Sequence, residues 1–177
     1  MIPLASGQTG TLLLWEFTGL NGDESSVAAT GNTSKVTVSS LTRGSGLNPR
    51  AQTNTFGSSA NGNVYGTNLS DAISRSQYYQ FTITPNSGNH VTLSELDFLP
   101  YFQNAGGAND PRGAGLTYST DGGTTFSSGI TASGTASING SLFTANLSGQ
   151  SALQNTTNAI IVRIYLYGNG AYESTGI

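Results

Sequence analysis

The sequence predicts an all-β protein, specifically a two-sheet antiparallel β-sandwich or jelly roll with long loops and at most one short helical turn. Apolar residues recur in short runs of strand length, and turn signals separate these runs. Glycine contributes 24 of the 177 residues, and only 8% of the residues are charged, against about 25% in a typical soluble domain. A turn-rich chain with a neutral, hydroxyl-rich surface favours a sandwich over a helical or mixed fold.

The most apolar run near the N-terminus, residues 12–19, predicts a core strand and contains the only tryptophan. Because both of its faces are largely apolar, we expect it to be covered on both sides for much of its length. Residues 1–10 before it predict a flexible lead segment, and residues 11–177 predict a single β-sandwich domain.

Alternating apolar residues and turn signals predict the remaining elements. The stretch 42–68 is rich in Gly, Asn and Ser and predicts a long loop, which in a compact domain is more often functional or packed down than idle. No internal repeat is visible, which argues against a propeller. Further strands are predicted at residues 35–41, 78–85, 90–98, 114–120, 131–138, 141–147 and 159–167, and a helical turn is predicted at residues 69–74.

Composition excludes several classes of function. The six basic residues are scattered and the net charge is −3, so nucleic acid is not an expected partner. The absence of cysteine removes disulfides, thiol catalysis and thiolate metal sites. The sequence contains no run of about 18 apolar residues, so it predicts no helix that spans a membrane. The first residues lack the features of a signal peptide, and we expect a start from which an export signal has been removed.

Five phrases of the sequence, taken together, carry a resemblance. Residues 14–19, 41–47, 78–85, 91–98 and 162–168 resemble β-sandwich modules of exported bacterial surface proteins, often those with PEP-CTERM sorting tails. The resemblance covers most of the chain and implies a jelly-roll-like sandwich that is extracellular or at the cell surface. It implies no chemistry and no catalytic residues. Members usually end in a closing strand with an Asp-Asn pair, which is not evident here.

The residues that catalysis needs do not form a set in the sequence. His90 is the only histidine, and it is expected at a turn edge. Glu95 and Asp97 lie two positions apart and share a strand face. We expect this face to be a solvated surface; a general acid/base pair is the alternative. We therefore predict no catalytic residue and no enzymatic activity.

One turn resembles the Asp box of sialidase-type propellers. In residues 119–126, Ser119 and Asp121 are placed to brace a hairpin through bonds to the backbone, and Phe126 is placed to pack behind it. A single copy without propeller repeats predicts a structural role.

A calcium ion is a possible cofactor. Asn21, Asp23 and Glu24 in one loop, together with Asp110 in another, offer the hard oxygen ligands that calcium prefers. Asp23 is the most plausible ligand. Ordinary turn formation is the alternative, because the spacing matches no calcium-loop motif.

The predicted strand 159–167 carries the most distinctive face. Arg163, Tyr165 and Tyr167 alternate with apolar residues and form a row that suits saccharide stacking, since rings stack on pyranose faces and arginine bonds hydroxyls. The same row suits a protein–protein interface. The third reading is a plain sheet face covered by the loop at residues 42–68.

Two hypotheses of function follow. The first is a non-catalytic structural or adhesive subunit with a surface or biofilm-matrix role, which self-associates into filaments by strand addition. In it the strand 159–167 offers an open edge, and a neighbour donates residues from the segment 2–14. The assembly residues expected in that segment are Ile2, Pro3, Leu4, Leu12 and Leu14. The second hypothesis is a carbohydrate-binding module, with a polysaccharide as its partner and calcium as a candidate stabilising ion.

Overall fold

The computed structural model describes residues 10–102, 112–135, 141–168 and 175–177. One α-helix, α1 (Leu69–Ser74), and two short 3₁₀ turns, Asn61–Asn63 and Ser151–Leu153, lie in these ranges. The strands are β1 Leu13–Leu14, β2 Ser26–Val27, β3 Gly31–Asn32, β4 Val36–Val38, β5 Leu41–Arg43, β6 Leu47–Pro49, β7 Ser58–Ala60, β8 Tyr78–Pro85, β9 Glu95–Phe98, β10 Tyr101–Phe102, β11 Arg112–Ser119, β12 Ile130–Thr131, β13 Phe143–Asn146, β14 Ile160–Gly168 and β15 Thr175–Gly176. The predicted all-β class and the helical turn at 69–74 are confirmed.

One large antiparallel sheet organises the molecule. Its strands follow the order β12-β11-β14-β8-β5-β2, and β4 also pairs with β8. Three smaller sheets, β10-β15-β7-β6, β1-β3 and β13-β9, complete the sandwich-like architecture. Residues from all four sheets share one hydrophobic core. The ring centroids of Trp15 and Phe81, 4.7 Å apart, join the segment after β1 to strand β8 of the large sheet.

Strand β14 lies in the middle of the large sheet. It pairs with β11 along one edge and with β8 along the other. The prediction that residues 159–167 offer an open edge is therefore wrong. The physical reason is that β14 carries a single charge and is buried along most of its length. Both features suit a strand with neighbours on both sides.

Strands β4 and β5 both pair with β8, and a β-bulge separates the two pairings. Val38 faces Ile83, whereas Thr42 faces Gln80, so one extra residue is inserted on the β4–β5 side. At the bulge, Ser39 donates its backbone N–H to the carbonyl of Thr82 and accepts the N–H of Thr82 on its hydroxyl, both at 2.9 Å. The serine side chain thus replaces a missing backbone partner.

The predicted long loop at residues 42–68 is largely structured. It contains the end of β5, all of β6 and β7, and a 3₁₀ turn. These strands are three residues long and consist mainly of Ser, Asn, Pro and Ala. They lack the apolar alternation by which a strand is detected in a sequence.

The first apolar run forms a shorter strand than predicted. Only Leu13–Leu14 pair as β1, and β3 is their partner. Trp15 and Phe17 pack partly buried against the core. Leu14 is 47% exposed and Glu16 is also exposed. The expectation of cover on both faces is therefore wrong.

Residues near the end of the sequence form strand β15 in the sheet β10-β15-β7-β6. It lies between β10 and β7, and the backbone N–H of Phe56 donates to the carbonyl of Ile177 at 2.9 Å. A strand of two residues carries no periodicity, so sequence patterns do not reveal it. Within the described ranges, the structure has no helix that is long and apolar enough to cross a membrane.

Candidate functional site

The row of side chains on β14 is occupied by contacts within the protein. The guanidinium carbon of Arg163 lies 3.8 Å from the ring centroid of Phe126 and 4.2 Å from that of Tyr78. Its Nε donates to Oε1 of Gln80 at 2.8 Å. Arg163 is therefore held between two aromatic rings and a side-chain amide, an arrangement that uses its stacking faces internally.

Tyr165, the middle member of the row, is only 2% exposed. Its hydroxyl lies 3.4 Å from the hydroxyl of Thr117, and its ring meets the ring of Tyr78 edge-on with centroids 5.8 Å apart. Burial raises the pKa of Tyr165. A ring enclosed in this way is closed to a ligand, so the sequence prediction that Tyr165 faces one does not match its position.

Tyr167 lies flat against the neighbouring strand. A β-carbon placed on Gly113 would come within 2.5 Å of the Tyr167 ring, so the glycine is what allows the close approach. Two residues along β11, a β-carbon on Gly115 would lie 2.7 Å from the side chain of Leu69 in α1. Helix α1 packs against β14 and β11. Helix α1 therefore covers part of this face of β14. The cover predicted from the sequence was the loop at residues 42–68, which directly precedes α1.

The turn after β11 is a braced hairpin connection. The hydroxyl of Ser119 accepts the N–H of Gly123 at 2.9 Å and donates to Asp121 Oδ1 at 2.7 Å. Asp121 also accepts the N–H of Thr125 at 3.0 Å and its hydroxyl at 2.6 Å. These bonds to Thr125, followed by the one from Ser119, lower the pKa of Asp121 far below its usual range. The carboxylate is engaged in holding the turn and positions Phe126 for Arg163.

Two loops are bonded together at another end of the molecule. The N–H of Gln52 donates to the carbonyl of Asn21 at 2.7 Å, and the N–H of Asn54 donates to the carbonyl of Leu20 at 3.0 Å. The N–H of Gly19 in turn donates to Oδ1 of Asn54 at 2.8 Å. Three bonds across the pair of loops give it a fixed shape.

Arg43 donates hydrogen bonds to the first of these loops and to residues at the start of β7. Its Nη2 donates to the carbonyl of Gly22 at 2.7 Å, and its Nη1 donates to the carbonyl of Glu24. Its Nε donates to the hydroxyl of Ser58 at 2.8 Å and to the carbonyl of Gly57 at 3.1 Å. Burial lowers the pKa of Arg43, but an arginine remains charged at every physiological pH. One side chain thus connects the first loop to strand β7.

The candidate calcium ligands are only partly available. The carboxylate of Glu24 accepts the N–H groups of Asn21 at 2.8 Å and Gly22 at 2.9 Å. Burial raises the pKa of Glu24, but these backbone bonds and the charge of Arg43 outweigh it and lower the pKa. Asp23 is exposed beside an open cleft of about 390 Å³ that it lines together with Asn21, Ala51, Gln52 and Thr53.

The other acidic candidates do not converge on this cleft. Asp110 lies outside the described residues. Within the described ranges, no group of three or more acidic or histidine side chains is placed to hold a metal ion. Glu95 and Asp97 are exposed on β9, where Asp97 accepts the hydroxyl of Thr144 at 2.7 Å, and His90 is exposed.

The edge of β1 is the remaining candidate. The N–H of Thr30 donates to the carbonyl of Leu14 at 2.9 Å, and the N–H of Thr33 donates to that of Leu12 at 3.1 Å. In the part of the chain that the structure describes, β3 is the only strand that pairs with β1. Ile2, Pro3 and Leu4 lie outside the described residues. Of the predicted assembly residues, Leu12 packs partly buried on the core and Leu14 points to solvent.

Comparison of the chain with protein-family models, with curated proteins and with solved structures found no match.

Sequence reasoning missed the use that this chain makes of its few arginines. Arg43, Arg112 and Arg163 each lie over an aromatic ring, with Arg43 3.5 Å from the centroid of Phe56 and Arg112 5.7 Å from that of Phe102. The signal that indicates this role is the scarcity of charge itself, with six basic residues in 177. A chain that solvates its surface with hydroxyl groups retains arginine where its flat, forked group packs and bonds at once.

Proposed function

We propose that the protein is a non-catalytic structural or adhesive subunit that works outside the cell and self-associates by strand addition. The observation that carries the proposal is the edge of β1. Its two leucines pair with β3 on one side, and no strand of the described chain pairs with the other side. An edge with unpaired N–H and C=O groups is a template for a strand from another chain.

The chemistry of this edge favours pairing. Natural edge strands are blocked by short length, lysine, proline, inward charges or bulges. Strand β1 is short, but its two residues include no lysine, proline or charge. Leu14 adds an exposed apolar side chain, 47% accessible, that an incoming strand would cover. The low content of charged residues adds little electrostatic repulsion between copies.

The donor predicted from the sequence is the segment 2–14 of a neighbouring copy. Because Leu14 pairs in β1, which receives the strand in this proposal, the donating part is the one that contains Ile2, Pro3 and Leu4. A contact in which one copy gives a segment and the next receives it is head-to-tail, and it propagates as an open filament unless its rotation closes a ring. A surface or biofilm-matrix role follows from such filaments.

Electron microscopy and size-exclusion chromatography of the full chain test this proposal. Leu14→Lys places a charge on the edge, and Val64→Lys is the matched control because Val64 is 48% exposed at a different place. We expect filaments or large assemblies from the unaltered protein and from Val64→Lys, and monomers from Leu14→Lys. Monomers of the unaltered protein at high concentration, or equal assembly of all three proteins, would refute the proposal.

Carbohydrate binding is the second candidate, and the observation that favours it is the polar cleft beside Asp23. Because two loops bonded to each other form its walls, the cleft is pre-organised for a ligand rich in hydroxyl groups. A polysaccharide pull-down with the unaltered protein, Asp23→Ala and Tyr167→Ala separates the two possible sites. Repeating it with and without calcium tests the ion, and retention of no polysaccharide by the unaltered protein would eliminate this candidate.

A further inference from the structure

Strand β15 fills a slot between two strands that belong to other parts of the chain. Gly176 faces Tyr101 and Thr175 faces Phe102 across one edge, and Thr175 faces Ser58 across the other. The N–H of Phe56 adds a bond of 2.9 Å to the carbonyl of Ile177. The slot is defined as the space between β7 and β10 that these residues occupy.

The fit of β15 in the slot is specific. A β-carbon on Gly176 would lie 3.0 Å from Oγ1 and 3.2 Å from Cβ of Thr55. Thr55 is itself fixed, because its hydroxyl donates to the carbonyl of Gln52 at 2.9 Å. A larger residue at position 176 would require Thr55 to shift by a few tenths of an ångström. Ile177 then packs partly buried on the core.

The β7 wall of the slot is held independently of β15. Strand β7 pairs with β6 on its far side, through Leu47↔Ala60, Asn48↔Ser59 and Pro49↔Ser58. The Nε of Arg43 holds both the carbonyl of Gly57 and the hydroxyl of Ser58, which is fully buried. The β7 side of the slot is therefore braced from within the domain and keeps its shape when β15 leaves.

Strand β15 is held by few bonds. It is two residues long, and isolated pairings of that length are marginal in water. The six residues 169–174 connect it to β14, and six extended residues reach at most about 20 Å. An exchange requires the slot of the receiving copy to lie within this reach.

We propose that β15 of one copy occupies the slot between β7 and β10 of the next copy. This inference deepens the proposed function, on which it rests, by naming a second contact of the assembly and the segment exchanged in it. The exchange conserves every backbone pair of the closed monomer, so it costs little beyond the entropy of association. When a copy gives its β15 to one neighbour and receives that of another, the contact is head-to-tail.

Cysteine cross-linking of the full chain tests the exchange without interference, since the natural sequence contains no cysteine. Thr175→Cys and Ser58→Cys are made on separate chains, purified under reduction, mixed at assembling concentration and oxidised. Opposite residues on paired strands have the spacing that a disulfide needs, and Cys is close to Ser in size. We expect a disulfide-linked dimer in this mixture, and none when Thr175→Cys is mixed with Ser87→Cys in an exposed turn.

Electron microscopy of the same mixtures separates the two proposals. Filaments without the specific cross-link would overturn the exchange and leave the proposed function standing. Monomers in every sample would overturn both. A second pair of variants guards against misfolding of Ser58→Cys: we expect Gly176→Val to shorten the assemblies, and Gly149→Val, where a β-carbon meets nothing within 4 Å, to leave them unchanged. Equal assembly lengths for the two glycine variants would also overturn the exchange.

Discussion

The guanidinium carbon of Arg43 lies 3.5 Å from the centroid of the Phe56 ring, and its nitrogens donate hydrogen bonds to two separate segments of the chain. Its nitrogens donate to the carbonyls of Gly22 and Glu24 in one loop. They also donate to the carbonyl of Gly57 and the hydroxyl of Ser58 where β7 starts. A planar, five-donor group is the only side chain that serves all of these acceptors from one position. Arg43 is therefore the side chain that joins the first loop directly to strand β7.

We expect Arg43→Lys to lower the free energy of unfolding by about 3 kcal/mol, because a lysine keeps the charge but leaves several of these buried acceptors unpaired. For a chain of this size, that loss lowers the melting temperature by about 6–12 °C. Circular dichroism melts measure it. Arg75→Lys is the control, since Arg75 forms an exposed helix pair with Asp71 at 2.8 Å and should change the stability by less than about 0.5 kcal/mol. Similar melting temperatures for the two variants would contradict the role of Arg43.

Gly22→Ala is expected to destabilise the protein strongly. Gly22 has a φ of 100°, and an added β-carbon would lie 2.4 Å from the carbonyl oxygen of Gln52. The clash is with backbone that bonds the two loops together, so we expect a loss of about 2–4 kcal/mol. Gly62→Ala controls for the conformation alone, because Gly62 has a φ of 72° with nothing within 4 Å, and should cost about 1 kcal/mol. Urea denaturation compares them, and equal midpoints would contradict the prediction.

Asp121→Asn should alter the dependence of stability on acid. The pKa of Asp121 lies far below its ordinary value of about 3.9, because Thr125 and Ser119 donate hydrogen bonds to the charged form. A depressed pKa in the folded state contributes stability that is complete well above pH 4 and is lost as the pH falls through and below that value. At pH 7 the variant should therefore melt a few degrees below the unaltered protein.

The difference between these melting temperatures should narrow steadily as the pH falls from about 5 towards 2, since protonation removes what the substitution has already removed. Glu16→Gln, at an exposed position, is the control and should follow the unaltered protein. A gap that stays constant over this range would mean that the charge of Asp121 does not support the turn.

Arg163→Lys is expected to reduce stability by about 1–2 kcal/mol, because lysine does not stack between two rings and lacks the Nε that bonds Gln80. The intrinsic fluorescence of Trp15 reports the unfolding, since Trp15 packs on Phe81 and is the sole tryptophan. If polysaccharide retention fell in this variant while its unfolding midpoint stayed unchanged, the row on β14 would be a binding face and the packing role assigned to it would be wrong.

The parts of the fold that follow from the sequence are those with repeated apolar residues. Strands β8 and β14 alternate apolar and polar residues over eight or nine positions, and their predicted bounds lie within one residue of the structure. Helix α1 also follows, and the side chain of Asn68 caps it by accepting the N–H of Asp71 at 3.0 Å. Local chemistry determines these elements.

The parts that escape the sequence depend on distant partners. Strands β6, β7 and β15 have two or three residues each, mostly small or polar, and are strands only because other segments pair with them. The same holds for the candidate site. The composition of the row on β14 was predictable, but its enclosure by Phe126, Tyr78 and α1 depends on contacts between residues far apart in the chain, such as Tyr78 and Tyr165.

The central position of β14 has a consequence for the order in which the molecule forms. Arg163 and its partner Gln80 are 83 residues apart, and β14 joins both halves of the large sheet. During synthesis, the edges of β8 and β11 that β14 fills stay open until residues 160–168 have emerged. Contacts of such long sequence separation form slowly. The large sheet therefore closes only after β14 has been synthesised, and the strands made before it wait with exposed edges until then.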